Sequence, residues 1–410
     1  MSTLITRNIT LYRWSRFLRS LIFWQAVWFL YFQNVLSGAQ AILLYAVYDV
    51  ATTLLEVPSG YMSDRMGRRK TLLASAIAGL IGAALLALGD SFVMFAAGQI
   101  LLGASMAFAS GTDEAMLYES LAASGREDEI EAQEVIAWRY SFCALALSAL
   151  IGGALALADP RLPFVGGALA FVALIWVTLR FVEPPSTARS TENPDLLRLG
   201  ALGQSFRNPV LLWFFTLGVL MYGFSHLPFV FGQPFIAQAL DSMGLVTSAP
   251  LVSGGITAVM MGISVAMSLF ALRLRNALGL PLLLLSAFGL QIAISGVMAL
   301  TDSTIVFAFL LLRMVPDALS RPFVLGRIQP MLPDESRATW LSLKSFAGRL
   351  VFASALAMGA ISASDAGTLP YGDIRLILSV TTLIGLAALA ALALTARRIA
   401  IEHKPQGDTP

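Results

Sequence analysis

The chain has 410 residues, 57% hydrophobic and 13% charged, with a formal net charge of +2 and a mean hydropathy of +0.76. Soluble domains are ~45–50% apolar and ~25% charged, so a soluble globular fold is excluded, and so small a net charge argues against a nucleic-acid partner. A single cysteine, Cys143, rules out an internal disulfide, and two scattered histidines argue against a His/Cys metal site.

Apolar windows of ~20 residues, the length that crosses a ~30 Å hydrocarbon core, predict twelve membrane helices. The first, 16–35, follows a basic foot without a small-residue cleavage site, which marks an uncleaved helix rather than a signal peptide. It carries "FWQAVWFLYFQN", in which Trp24, Trp28 and Tyr31 recur at spacings of four and three. Such aromatics anchor a helix at the interface, or line a cavity for an apolar substrate with Gln25 and Asn34 as polar contacts.

The second span, 40–62, places Asp49, Thr53, Glu56 and Gly60 on one helical face. An ionisable side chain at membrane depth costs ~2.5–3.5 kcal/mol and needs a reason. Asp49 is the acid nearest the bilayer centre. Without a cation partner it is expected to be protonated there and to carry a coupled proton, with Glu56 as the second candidate; the alternative for both is a structural hydrogen bond.

Between the second span and the third, 71–89, lies "GYMSDRMGRRK", Gly60 to Lys70. Topology alone explains its cations, but Gly60, Asp64 and Gly67 point to a tight and specific turn. The fourth span, 92–115, closes in "SGTDEAMLYESL", whose Asp113, Glu114 and Glu119 are expected to pair with Arg65, Arg68 or Arg139, or else to meet substrate. The fifth and sixth spans are 133–158 and 162–182.

The polar, proline-rich stretch 183–208 reads as a linker between a first bundle, 1–182, and a second, 209–398, before a tail, 399–410. Spans of the second bundle are 209–231, 247–271, 280–300, 303–321, 338–362 and 372–396. His226 in the first of these is expected to be a satisfied core residue rather than a proton relay. Arg313 and Asp317, four apart in the tenth span, can pair along one helical face as structure or open to a charged substrate. Arg139 and Lys344 are candidates for an anion site, with Asp113 and Glu114 near enough to neutralise Arg139. They fall at nearly matching places in a weak internal echo, "RYSFCALAL" and "LKSFAGRLV".

With the amino terminus inside, 21 of the 27 basic residues fall on the inner side, two (Arg161 and Arg375) outside and four within spans. Both termini are therefore expected in the cytoplasm, and Gly60–Lys70 becomes an inner loop.

The pattern Gly60-x-x-x-Asp64-Arg65-x-Gly67-Arg68-Arg69, between the second and third of twelve spans, resembles the signature loop of the major facilitator superfamily. The resemblance covers the whole chain. It implies an all-α fold of two pseudo-symmetric six-helix bundles, alternating access about a central site, and a cytoplasmic latch in which Asp64 and Arg68 hold the bundles together. There are departures. "GQILLG" puts Gln99 where the fourth helix often carries an arginine used in proton handling, and "SALIGG" keeps only the glycine pair of the antiporter motif. The second copy of the loop, "LRLRNALG", keeps Gly279 but no acid.

No glycine loop with lysine for phosphate and no nucleophile–base pair stands out, so neither ATP nor enzymatic chemistry is expected, nor any cofactor. The expectation is a monomeric secondary transporter of a small organic solute in a bacterial cytoplasmic membrane, a proton-driven exporter. An importer, or a non-transporting sensor on the same fold, is the alternative.

Overall fold

The computed structural model describes residues 2–402 apart from 26, 37, 186–193, 232–248, 302, 304, 335 and 363–370. In a bilayer the backbone must satisfy its own hydrogen bonds, which helices do segment by segment. The described residues are helical almost throughout, without a strand.

The first part of the chain forms α1 (Ser2–Arg19), α2 (Trp28–Gln33), α3 (Gly38–Met66), α4 (Arg68–Leu88), α5 (Phe92–Ala109), α6 (Thr112–Ala122), α7 (Ile130–Ala158) and α8 (Leu162–Leu179). After α9 (Pro194–Arg207) come α10 (Pro209–Phe231), α11 (Ala249–Leu278), α12 (Leu280–Leu300), α13 (Ile305–Leu311), α14 (Val315–Ile328), α15 (Arg337–Ser362) and α16 (Tyr371–Ala396). Among the described residues, eight helices are long and apolar enough to cross a membrane. Helices α3 and α15, of 29 and 26 residues, have the length as well. Large apolar side chains such as Leu88, Val93, Leu169 and Leu383 face outward, as lipid contact requires.

Four predicted elements differ. The first span is interrupted between Arg19 and Trp28. There the chain runs against α7 and α8, where a Cβ on Gly152 would stand 1.8 Å from the Phe23 carbonyl oxygen and one on Gly167 2.0 Å from the Trp24 ring. Two glycines thus make room for a segment that leaves the helix. The tenth span breaks at Leu312–Met314, just before Pro316, whose ring suits the first turn of α14 and not a helix interior. The fourth ends at Ser110–Gly111, where Gly111 takes a φ of +71° and α6 sets off anew. The presumed linker holds α9, a 14-residue helix. Residues 186–193 of that linker, the first two residues of the predicted span 247–271 and the tail beyond 402 lie outside the described residues.

One hydrophobic core joins residues between Leu211 and Ile401, with Val135 reaching into it. Two others gather the first part of the chain, around Tyr12 and Met116 and around Phe32 and Phe95. The two parts of the chain meet along α3 with α15 and along α7 with α11. Phe142 packs with Met260, Met261 and Ala318 across that seam.

Candidate functional site

At one end of the seam α3 stops at Met66 and α4 begins at Arg68, so Gly67 alone makes the turn. Its φ of +100° is open to glycine and strained for any other residue. The first amides of α4, those of Arg68 and Arg69, donate to the Glu183 carboxylate at 2.5 and 2.9 Å, a helix N-terminus holding an anion.

One turn back, Asp64 reaches across to the start of α15. Its carboxylate accepts from the backbone amides of Ala338 (3.1 Å) and Thr339 (2.9 Å) and from the Thr339 hydroxyl (2.6 Å). Arg68 donates to Asp64 (2.5 Å), to Glu119 on α6 (2.7 Å) and to the Asp334 carbonyl (3.3 Å). Glu119 also receives Arg337 from the far side at 3.2 Å. Gly60 completes the closure: a Cβ there would stand 2.6 Å from Ser342 Oγ and 2.9 Å from the Ala338 carbonyl, so the two helices touch almost backbone to backbone.

Away from that end the seam opens into a cavity of about 320 Å³, lined from both parts of the chain. Its charged side chains are five cations (Arg16, Arg19, Arg321, Lys344, Arg349) and four carboxylates (Glu56, Asp113, Glu114, Asp317). Three sets are paired. Arg16 donates to Asp113 at 3.0 Å, and Arg321 meets Asp317 at 3.2 Å. Arg349 is shared, donating to Asp49 at 2.8 Å and standing 3.6 Å from Glu56. Trp138 lies between the Arg16 and Arg321 guanidinium groups, 4.7 and 5.1 Å from its ring, a cation–π arrangement.

Three side chains of the lining have no ion pair among the described residues: Lys344, Glu114 and Arg19. Lys344 makes no hydrogen bond there either, and Arg19 donates only to the Ser75 hydroxyl at 2.7 Å. Glu56 is fully buried, and neither of its carboxylate oxygens takes a hydrogen bond.

A second cavity of about 220 Å³ opens beside the interrupted first helix. Trp24, stacked on Phe164 with ring centroids 5.5 Å apart, Trp28 and Phe171 form its walls together with Gln25 and Gln99. The side-chain amide oxygen of Gln25, Oε1, is buried without a hydrogen-bond partner. Arg19, Ile22 and Met106 line both cavities, so the two adjoin at these side chains.

The residues singled out in the sequence separate into groups. Gly60, Asp64, Gly67, Arg68 and Glu119 come together at the closed end. Asp113 and Glu114 do not join them; both face the cavity, and Asp113 takes Arg16 instead. Arg139 meets neither acid, since its guanidinium donates to the Ser268 hydroxyl (3.2 Å) and carbonyl (3.3 Å), and it is no part of the lining that holds Lys344. Asp49 has the cation partner it was expected to lack, because α15 brings Arg349 to it from 300 residues away.

The pairing of Arg313 with Asp317 assumed unbroken helix. Asp317 meets Arg321, one turn further along the same helix, at 3.2 Å, and the turn at Leu312–Met314 interrupts the helix that the Arg313–Asp317 pairing presupposes. His226 is satisfied as expected: it stacks on Tyr222 at 4.1 Å, with Nδ1 2.8 Å from the Tyr222 carbonyl oxygen. Gln25 lines the aromatic cavity, whereas Asn34 is exposed.

Sequence reasoning missed Arg16, Arg19 and Arg321, which were counted as topology signals at helix ends, and left Arg337 and Arg349 without roles. A sign was available for Arg349: five residues after Lys344 in an apolar run, it is a second cation at depth.

A family model described as Major Facilitator Superfamily matches residues 13–356. The fold is similar to that of a bacterial homologue of the iron transporter ferroportin in its outward-facing state, with a TM-score of 0.70 at 15% identity over 97% of this chain and 100% of that one. A human organic anion transporter gives 0.72 at 13% identity over 95% and 99%. FucP in its outward conformation gives 0.66 at 14% identity over 94% and 98%. No curated protein matches by sequence.

Proposed function

The chain belongs to the Major Facilitator Superfamily, and from that premise we propose that it is a secondary active exporter of a small organic solute, driven by the proton gradient. It is a transporter and not an enzyme, as the family is. Alternating access would carry solute between the two bundles through the cavity on their seam. The Gly67 end is the cytoplasmic one in this reading, because the positive-inside bias places the Gly60–Lys70 cations there. With Asp64 fastened to Ala338 and Thr339, that end is shut.

The observation that carries the reading is a single one. A cavity lined by charged side chains from both bundles lies behind a closed, hydrogen-bonded end. Ionisable groups at such depth are held for ions and substrates, by their cost. Asp49 and Glu56 compete for one arginine, Arg349, that belongs to the other bundle. A proton added to either acid would release its hold on that cation, and so tie protonation to the fit between bundles.

The test is flux. In inside-out vesicles an exporter exchanging solute for protons accumulates solute when the lumen is made acid. Accumulation across a panel of small organic solutes, with and without that gradient, supports the reading if one solute is concentrated only with it. Equal flux under both conditions leaves a uniporter, and gradient-driven efflux from the lumen makes the protein an importer.

A further inference from the structure

The paired charges of the cavity leave a remainder. Removing Arg16–Asp113, Arg321–Asp317 and Arg349 with its acids leaves two cations, Lys344 and Arg19, against one carboxylate, Glu114. Lys344 is half-buried in the cavity wall and makes no hydrogen bond among the described residues, so its ammonium is open to a ligand. Its stem is also held in place, packing against Gly218, where a Cβ would stand 2.9 Å from Lys344 Cδ. Arg19 is the hinge of the arrangement, because it lines both cavities and its Nε has no partner.

On the other side of Arg19 the surroundings change from charged to aromatic. The second cavity is walled by Trp24, Trp28, Phe164 and Phe171. Besides Arg19 Nε, its lining holds one more buried atom without a hydrogen-bond partner, the side-chain amide oxygen of Gln25. A cavity that is charged at one end and aromatic at the other matches a ligand built the same way.

Resting on the reading of the protein as a transporter, we propose that the two cavities form one site for an amphiphilic organic anion. Its acidic group lies between Lys344 and Arg19, and its aromatic or aliphatic body lies in the pocket of Trp24 and Phe171. Glu114, across from Lys344, selects against a second acidic group on the same molecule by like-charge repulsion.

The experiment uses the purified full chain, with 2-naphthoate as the probe, 2-naphthylmethylamine as its cationic counterpart and acetate as the headgroup alone. Naphthoate is expected to raise the melting temperature and quench tryptophan fluorescence, as ligand that binds only the folded state does. The amine and acetate at the same concentration are expected to do neither. Lys344→Gln should weaken naphthoate by about tenfold or more, the worth of a charge-assisted hydrogen bond, while Lys344→Arg keeps it. Met106→Trp, which fills the junction, should weaken it about as much without lowering the melting temperature of the ligand-free protein. Equal binding of acid and amine, no response to naphthoate, or a Lys344→Gln variant that binds like the parent overturns the proposal. Flux of radiolabelled acid and amine into the same vesicles separates the two readings. If the amine crosses and the acid does not, transport stands and the anion site falls. If the acid binds with the variant pattern above but never crosses, the anion site stands and transport falls.

Discussion

The closed end of the seam and the cavity behind it are built from the same residue types, yet they treat charge in opposite ways. At the closed end each of the central charges has several partners. Arg68 reaches two carboxylates and a carbonyl, Asp64 takes three donors from α15 besides Arg68, and Glu119 is held by arginines of both bundles. In the cavity, Lys344 and Glu114 both belong to the lining without an ion pair, and Glu56 lies near an arginine that Asp49 already holds at 2.8 Å. Satisfied charges make a fastening; unsatisfied ones make a place for something else. The contrast also explains why α3 and α15 carry both features. Two long helices crossing the seam can be pinned at one end by Gly60 and Asp64 and still diverge enough further along to enclose space.

If the closed end is held by its network, the largest loss should come from removing the residue at its centre. Arg68→Ala leaves Asp64 and Glu119 buried without their shared cation, and breaking a buried pair costs ~3–5 kcal/mol. Unfolding in detergent should show a loss of that size, partly recovered in the double variant with Glu119→Gln. A loss under 1 kcal/mol would mean that the remaining donors hold both acids unaided.

A smaller effect is expected from Asp64→Asn, which keeps the shape but removes the charge from bonds to Thr339 and Ala338. Hydrogen bonds to charged groups contribute ~1.5–3 kcal/mol. Arg68 keeps Glu119 as its counter-ion, so the variant should still fold, with a smaller stability loss than Arg68→Ala, while transport slows about tenfold. Normal flux at normal expression would reduce the loop to a topology signal.

How much of this was legible depended on the range of the interaction. Span positions, the Gly60–Arg69 turn and the acid face of Asp49 and Glu56 are periodic and local, and a sequence displays them. The partners of those acids are not local. Arg349 lies 300 residues from Asp49, and Thr339 lies 275 from Asp64, and no spacing rule connects them. Broken helices were the other blind spot. The interruption after Arg19 depends on glycines of α7 and α8 accepting Phe23 and Trp24, which the first span's own apolar sequence does not reveal. The break before Pro316 carried a local warning in that proline, and the uniform reading of span ten passed over it.

The pair of Asp317 with Arg321 gives a modest prediction. Asp317 is buried but Arg321 is 40% exposed, so their pair should contribute at the weak end, ~1 kcal/mol or less. A double-mutant cycle of Asp317→Asn with Arg321→Gln should return a coupling of that order. The same cycle with Arg313→Gln should return a smaller one. A larger coupling to Arg313 would restore the pairing inferred from sequence and place the helix break elsewhere.

The smallest single effect is expected at Asp49, and it sharpens the contrast most. Its carboxylate is 35% exposed, so its pairing with Arg349 is worth only ~0.2–1 kcal/mol, and losing it should change gradient-driven accumulation by about fivefold at most. The reason is redundancy. In Asp49→Asn, Arg349 is left with the fully buried Glu56, which then becomes the sole acid able to exchange a proton for that cation. Glu56→Gln alone should remove more, because it takes away the acid with no hydrogen bond of its own. The double variant Asp49→Asn, Glu56→Gln should lose accumulation driven by a pH gradient and still exchange solute, since both amides keep the size of the acids they replace. Arg349 would then stand unpaired, so an accompanying drop in melting temperature is expected and must be measured alongside. If the double variant still concentrates solute against the gradient, protons do not couple through α3. The cavity's remaining acids, Glu114 before Asp317, would then be the groups to change next.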